Sequence, residues 1–257
     1  MSRTSSSETT PVPGHPPTAG RPLSPASARR DELAANLAAV RERIGAACAA
    51  AGRAAGEITL IAVTKTWPAS DVRLLSEVGV TDIGENRDQE AAPKAAACAD
   101  LSLTWHFVGQ LQTNKCPSVV RYAQVVHSVD RVRLIRALGA AARGAGRDVT
   151  CLLQVSLDGD PSRGGAPADQ AAALAERAEA ESGLLLGGVM AVAPLGMPPA
   201  AAFSGLRDIA AAVRSVRPAA TIVSAGMSGD LEEAIGAGAT HIRIGTALLG
   251  ARRPRVM

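Results

Sequence analysis

The sequence predicts an α/β protein built as a single (β/α)8 barrel, with an extra helix ahead of the first strand. Three observations carry this reading. Eight short apolar runs of buried-strand type recur near Ile58, Thr81, Leu103, Val125, Thr150, Leu185, Thr221 and His241. Stretches of helical periodicity separate them, and strands buried on both faces and followed by helices imply parallel βα units. The chain has 257 residues, and a barrel of this kind takes about 250. An open doubly wound sheet would carry a glycine-rich nucleotide turn after its first strand. Here that turn reads Val63-Thr64-Lys65-Thr66, with no GxGxxG.

Residues 1–28 are rich in Ser, Thr, Pro and Gly without hydrophobic period, so a disordered tail is expected there and a folded barrel over 29–257. Leu33, Leu37, Val40, Ile44 and Cys48 then recur at spacings of four and three, one face of a helix that ends at Gly52 and Gly56. The first strand follows at Ile58 to Val63. Val72 and Leu75 mark a helix with Pro68 at its start. The second strand, around Asp82 to Gly84, is the shortest. Asp130 is expected to cap a helix carrying Val132, Ile135, Leu138 and Ala142. Residues 167–181 are Ala-rich and helical. Residues 199–216 read as one helix with Phe203, Leu206, Ile209 and Val213 on one face, and a short helix at 229–237 stops at Gly238.

Composition excludes several function classes. Lys+Arg of 27 against Asp+Glu of 24 gives +3, and Arg3, Arg21, Arg29 and Arg30 against Glu8 place that whole excess in the first thirty residues. A neutral body is no nucleic-acid footprint. An aromatic content of 2% rules out a base-stacking platform. Cys48, Cys98, Cys116 and Cys151 form no CxxC pair and sit at no metal-finger spacing with a His, so no metal site is expected and a reducing compartment fits. The apolar stretch 184–197 is broken by Gly187, Gly188, Pro194 and Gly196 and is too short to span a bilayer. The chain reads as a soluble cytoplasmic protein, and with no heptads or long apolar edge a monomer is expected.

In such a barrel the chemistry sits at the C-terminal ends of the strands. The first strand ends in Lys65. A lysine there either exposes a nucleophilic amine at the barrel mouth, as a Schiff-base lysine requires, or snorkels out to water. The last two strands run into Ala225-Gly226-Met227-Ser228-Gly229-Asp230 and Gly245-Thr246-Ala247-Leu248-Leu249-Gly250. Glycines let backbone N–H groups approach an anion, and these two loops form the usual phosphate site of the fold. A lysine facing a phosphate cradle suggests a phosphorylated carbonyl compound bound as an imine: pyridoxal phosphate, or an aldolase substrate. Arg243 stands just before the second glycine turn. Facing a pyridine nitrogen it would only donate, leaving that nitrogen unprotonated. Asn86 either lines the site or caps a helix. His106, within the third strand, is either a satisfied core histidine or a catalyst, and the core reading is the commoner one.

At these residues the sequence becomes recognisable. Ala62-Val63-Thr64-Lys65-Thr66, Gly84-Glu85-Asn86, the run from Trp105 to Lys115 (WHFVGQLQTNK), Gly226-Met227-Ser228-Gly229-Asp230 and Arg243-Ile244-Gly245-Thr246-Ala247 occur in this order. Together they closely resemble the pyridoxal phosphate homeostasis protein family, from about Leu33 to Arg252. The resemblance implies a barrel similar to the N-terminal domain of alanine racemase, with Lys65 holding pyridoxal phosphate as an internal aldimine. It implies phosphate contacts from Ser224, Ser228, Gly245 and Thr246, Arg243 at the pyridine nitrogen, and Asn86, His106 and Met227 as further pocket residues. It implies a protein that buffers and delivers the cofactor, with apo forms of pyridoxal-dependent enzymes as recipients and no robust turnover. Arg87, Ala225 and Leu249 depart from the family's usual aromatic, Met and Phe. The alternative is a fold-related enzyme such as an amino-acid racemase. That reaction needs an acid/base opposite the lysine, and the dozen residues after the last strand build no second domain to supply one. A cofactor-free aldolase would depend on His106 alone for acid/base work.

Overall fold

In the computed structural model, residues 24–160, 164–194 and 196–251 are described. Helix α1 (Pro25–Ala50) comes first, its N-terminus capped by Ser24, whose hydroxyl accepts from the Ser27 amide. Then follow β1 (Thr59–Val63), α2 (Ala69–Glu77), β2 (Asp82–Glu85), α3 (Asp88–Ala97), β3 (Thr104–Phe107), α4 (Cys116–Val119) and β4 (Val125–Val129). The second half holds α5 (Val132–Gly144), β5 (Val149–Gln154), α6 (Ala171–Glu179), β6 (Leu184–Met190), α7 (Pro199–Ala202), α8 (Leu206–Val216), β7 (Ile222–Ser224), α9 (Leu231–Gly236), β8 (His241–Ile244) and α10 (Thr246–Leu249). The eight strands pair in parallel and in chain order, and β8 closes on β1 through Thr59 to Ala62 against His241 to Ile244. All eight expected strands are present.

Strand burial explains why periodicity located them. β4 is buried along its whole length, and β1, β2, β3 and β8 bury their last three residues. Helix α1 buries the expected face, Leu33, Leu37, Val40, Ile44 and Cys48, against Val72, Leu75, Ile235 and Leu248 of α2, α9 and α10. Each such aliphatic side chain contributes roughly 1.5–3 kcal/mol of burial. Asn36 Nδ2 adds a hydrogen bond to the Leu248 carbonyl (3.0 Å), and Arg43 one to the Ser228 carbonyl (3.0 Å). The helix therefore braces the two turns after β7 and β8 from outside.

Three expectations change, and one helix was not expected. The helix begins at Pro25, so 25–28 are helical, and the rest of the expected tail, 1–23, lies outside the described residues. Asp130 does not cap α5: its carboxylate pairs with Arg131 and accepts from the Gly165 amide, while α5 starts after Arg131 without a side-chain cap. The stretch 199–216 is two helices, broken at Ser204 and Gly205. Helix α3 carries Pro93 in its interior, which hides it from a sequence reading. Among the described residues no helix is long and apolar enough to cross a membrane.

Candidate functional site

The C-terminal ends of the strands surround a cavity of about 400 Å3, within the range of small-molecule sites. The chain has three lysines, Lys65, Lys94 and Lys115, and of these Lys65 alone lines the cavity. Its ammonium has no ion-pair partner among the described residues. The turn that presents it is tightly built. Thr64 donates from its amide to the Gly84 carbonyl (2.9 Å), and Trp67 donates back to the Thr64 carbonyl (3.0 Å). Thr66 adopts a left-handed backbone, φ 70°, strained for a β-branched residue. Its amide is held there by Glu90 Oε2 (3.0 Å).

Behind the turn lies a buried ion pair. Lys94 Nζ contacts Glu85 Oε1 and donates to the Thr64 carbonyl (2.8 Å), and Thr64 Oγ1 donates to the same Glu85 oxygen (2.6 Å). Burial pushes the Glu85 carboxyl above its usual range, against the pull of Lys94 and Thr64. Glu85 stands in the Gly84-Glu85-Asn86 motif, but its partner Lys94 has no sequence signal, because it sits on the helix that Pro93 conceals.

The two glycine turns line the same cavity, the second of them beside the end of β1, since β8 pairs with β1. Ser228 and Gly229 follow β7, and Gly245 and Thr246 follow β8; all four line the cavity. Among the described residues, the amides of Ser228, Gly229 and Thr246 donate to no protein acceptor, which leaves them for an anion. Ser228 Oγ accepts from the Ala247 amide (3.2 Å) and so ties the turns together. Gly226 has φ +90°, and a Cβ there would lie 2.7 Å from that of Ala234. Asn86 and Met227 complete the walls. Gly109 lets the end of β3 abut Asn86, since a Cβ would meet the Asn86 carbonyl oxygen at 2.1 Å.

Arg243 lines the cavity floor although its side chain is otherwise buried. Burial lowers its guanidinium to about 10, so it is charged at neutral pH. It donates to Ser224 Oγ (2.6 Å) and to the Ala191 carbonyl (3.0 Å), and its remaining N–H groups are left for the cavity. Ser224 and His106 do not line the cavity. They lie deeper, with the Ser224 hydroxyl engaged by Arg243 and His127. The rim is clamped from α1: the Arg29 guanidinium lies 4.6 Å from the centroid of the Trp67 ring and bonds Asp71 (2.8 Å) and the Leu249 carbonyl (3.0 Å). Among the described residues no cluster fit to hold a metal ion is found.

An unpaired amine, a buried cation and a cradle of free amides suit a ligand with a carbonyl, a ring nitrogen and a phosphate. Comparison with known proteins agrees. The family model described as alanine racemase, N-terminal domain, matches residues 29–253. A protein of Mycobacterium bovis called pyridoxal phosphate homeostasis protein is 43% identical over 246 residues, covering 88% of this chain and 95% of its own length. The chain belongs to the pyridoxal phosphate homeostasis protein family. The Escherichia coli member is 35% identical, covering 86% of this chain and 97% of its own. Among solved structures, PipY of Synechococcus elongatus, described with PLP bound, superposes with a TM-score of 0.75 at 35% identity, over 85% of this chain and all (100%) of that one. Alanine racemase from Streptomyces coelicolor has a TM-score of 0.66 at 21% identity, over 87% of this chain but 59% of that one. That likeness shows the fold, and the remainder of the racemase has no counterpart in the match.

Proposed function

We propose that this chain holds pyridoxal phosphate at the barrel mouth and keeps it available to other proteins without turning over amino acids. The observation that carries the reading is that Lys65, unpaired, lines the same cavity as the free amides of the two glycine turns. When bound, the cofactor supplies an electrophilic aldehyde and a ring that accepts electrons. Lys65 would provide the amine that condenses reversibly with the aldehyde, releasing water. The amides of Ser228, Gly229 and Thr246 receive the phosphate by charge-assisted bonds. Arg243 would donate toward the ring nitrogen and, having no lone pair to offer, would leave that nitrogen unprotonated, making the ring a weaker electron sink. Asn86 and Met227 line the cavity and would contact the ring.

The chemistry that is missing supports holding rather than turnover. A two-base reaction needs an acid/base opposite the lysine. Among the described residues, the cavity is lined by no carboxylate, imidazole or phenol. Tyr122 packs edge-on against Trp105, centroids 6.4 Å apart, away from the cavity. The proposed recipients are apo forms of pyridoxal-dependent enzymes.

The experiment is an absorbance titration of the full chain with pyridoxal phosphate, repeated with Lys65→Ala, followed by assays for racemisation and transamination of amino acids. A visible band in the wild type, absent in the variant, with turnover far below about 1 per second, is the expected result. Steady turnover at enzyme-like rates would overturn the holding role, and no band would overturn the ligand.

A further inference from the structure

The interior of a (β/α)8 barrel is normally filled by branched apolar side chains. Here Val125, Leu152, Met190 and Ile222 supply part of that filling, and a line of polar groups threads the rest. Asp82, at the start of β2, receives His106 Nε2 on β3 (3.0 Å). His106 Nδ1 meets His127 Nε2 on β4 (2.9 Å). His127 Nδ1 meets Ser224 Oγ at the end of β7 (3.0 Å), and Ser224 Oγ accepts from Arg243 on β8 (2.6 Å). The line runs from the N-terminal end of the strands to the cavity floor. His106, His127 and Ser224 are at most 2% exposed.

The two ends fix its direction. A carboxylate only accepts and a guanidinium only donates. Asp82 therefore requires the proton of His106 on Nε2, which leaves His106 Nδ1 to accept. His127 must then carry its proton on Nε2 and accept at Nδ1, where the Ser224 hydroxyl donates. Ser224 is left with its lone pairs for Arg243. Every ring nitrogen in the line is satisfied with both histidines neutral. Around it stand His241, whose ring centroid lies 6.5 Å from that of His106 and whose Nδ1 meets Thr240 Oγ1, and Asp230, whose charge acts on Arg243.

We propose that Asp82, His106 and His127 are positioning residues that, through this one-way hydrogen-bond line, fix the rotation of the Arg243 guanidinium and so aim its free N–H groups into the cavity. The proposal rests on the reading above only for what Arg243 meets there. Without Asp82 the line has a second solution. Water replaces the carboxylate, both histidines move their proton to Nδ1, and Ser224 accepts from His127 and Arg243 at once. Ser224 then spends both lone pairs, so its bond no longer holds the Arg243 guanidinium in one rotation, and the Ala191 carbonyl is the acceptor left unchanged.

The test uses the full chain labelled with nitrogen-15 in histidine and arginine, first without ligand. In the wild type, imidazole spectra show His106 and His127 both as neutral Nε2–H tautomers, with slowed rotation of the Arg243 guanidinium. Asp82→Ala, at the half-buried end of the line, shifts both histidines together toward Nδ1–H and frees Arg243. Asp82→Asn, whose amide oxygen still accepts, restores the wild-type pattern. Pyridoxal phosphate affinity then falls roughly tenfold in Asp82→Ala, as for one weakened bond to a charged group, and stays within about twofold in Asp82→Asn, although neither residue touches the cavity. Wild-type histidines in any other tautomer, or an Asp82→Ala spectrum in which only His106 moves, would overturn the line. Shifted tautomers with Arg243 rotation and affinity both unchanged would overturn its positioning role. A wild type that binds no pyridoxal phosphate contradicts the proposed ligand instead, and the unliganded spectra still decide the line.

Discussion

Lys94 reaches from α3 to donate to the carbonyl oxygen of Thr64 (2.8 Å), the residue immediately before Lys65. The same ammonium neutralises Glu85, which also receives the Thr64 hydroxyl (2.6 Å). One buried cation thus fastens the end of β1 to the end of β2 beneath the cavity. Removing it leaves a carboxylate with no exposure and no counter-charge.

Lys94→Ala is therefore expected to destabilise the fold by about 3–5 kcal/mol, the range for stranding one member of a buried pair. The double variant Lys94→Met with Glu85→Gln is expected to recover most of that loss, because no uncompensated charge remains. Chemical denaturation of the three proteins checks both statements. A single variant within about 1 kcal/mol of wild type would show the pair to be dispensable.

Stability should fall in mild acid. Burial holds His127 well below its usual range and takes His241 down to about 4, from 6.5. The unfolded chain takes up these protons first as pH drops below 6.5. Folding then loses about 1.4 kcal/mol per pH unit for each histidine, between pH 6.5 and about 4 for His241 and further down for His127. At the lower end Asp82 adds to the loss. Burial alone would raise its carboxyl, but the bonds from His106 and Thr81 outweigh that and hold it low. Denaturant titrations from pH 7 to 4.5 are expected to show this slope, and His241→Gln to reduce it by about half. A flat profile would contradict neutral buried histidines.

Gly109→Ala should damage the site more than its size suggests. The added Cβ would meet the Asn86 carbonyl at 2.1 Å and its carbonyl carbon at 2.8 Å. Backbone must move, at about 1–3 kcal/mol for overpacking, and Asn86 moves with the cavity wall. The expected outcome is weaker binding of pyridoxal phosphate with the fold retained. Equal affinity in variant and wild type would show that Asn86 does not shape the site.

Arg29→Ala tests the brace from α1. The variant loses two hydrogen bonds to Asp71, one to the Leu249 carbonyl, the ion pair with Glu32 and the stacking on Trp67. A loss of about 1.5–3 kcal/mol is expected, as for hydrogen bonds made by a charged group, together with faster release of ligand, since Trp67 lines the cavity. Release kinetics by stopped-flow absorbance check it, and an unchanged off-rate would separate the brace from the site.

The barrel was legible because its strands are short, apolar and buried, and because glycine turns close the last two. Lys65, Arg243 and the turns could be found for the same reason: they stand at strand ends. What was not legible depends on contacts between distant strands. His106 read as a lone strand histidine because its partners, Asp82 and His127, lie 24 and 21 residues away. Ser224 reads as a phosphate hydroxyl from the family resemblance, yet its Oγ is engaged by His127 and Arg243. Asp130 looked like a cap because spacing does not show that Arg131 and Gly165 claim its oxygens. The break at Gly205 leaves the apolar period of Phe203, Leu206 and Val213 intact, so periodicity ran through it.

The most direct test of the account is borohydride reduction of the full chain saturated with pyridoxal phosphate, followed by peptide mass analysis. The three lysines differ sharply in setting. Lys65 lines the cavity, Lys94 is buried against Glu85, and Lys115 ends the short turn Thr113–Lys115 outside it. The account predicts one reduced adduct, on Lys65. No adduct, or an adduct on Lys94 or Lys115 with Lys65 unmodified, would contradict it.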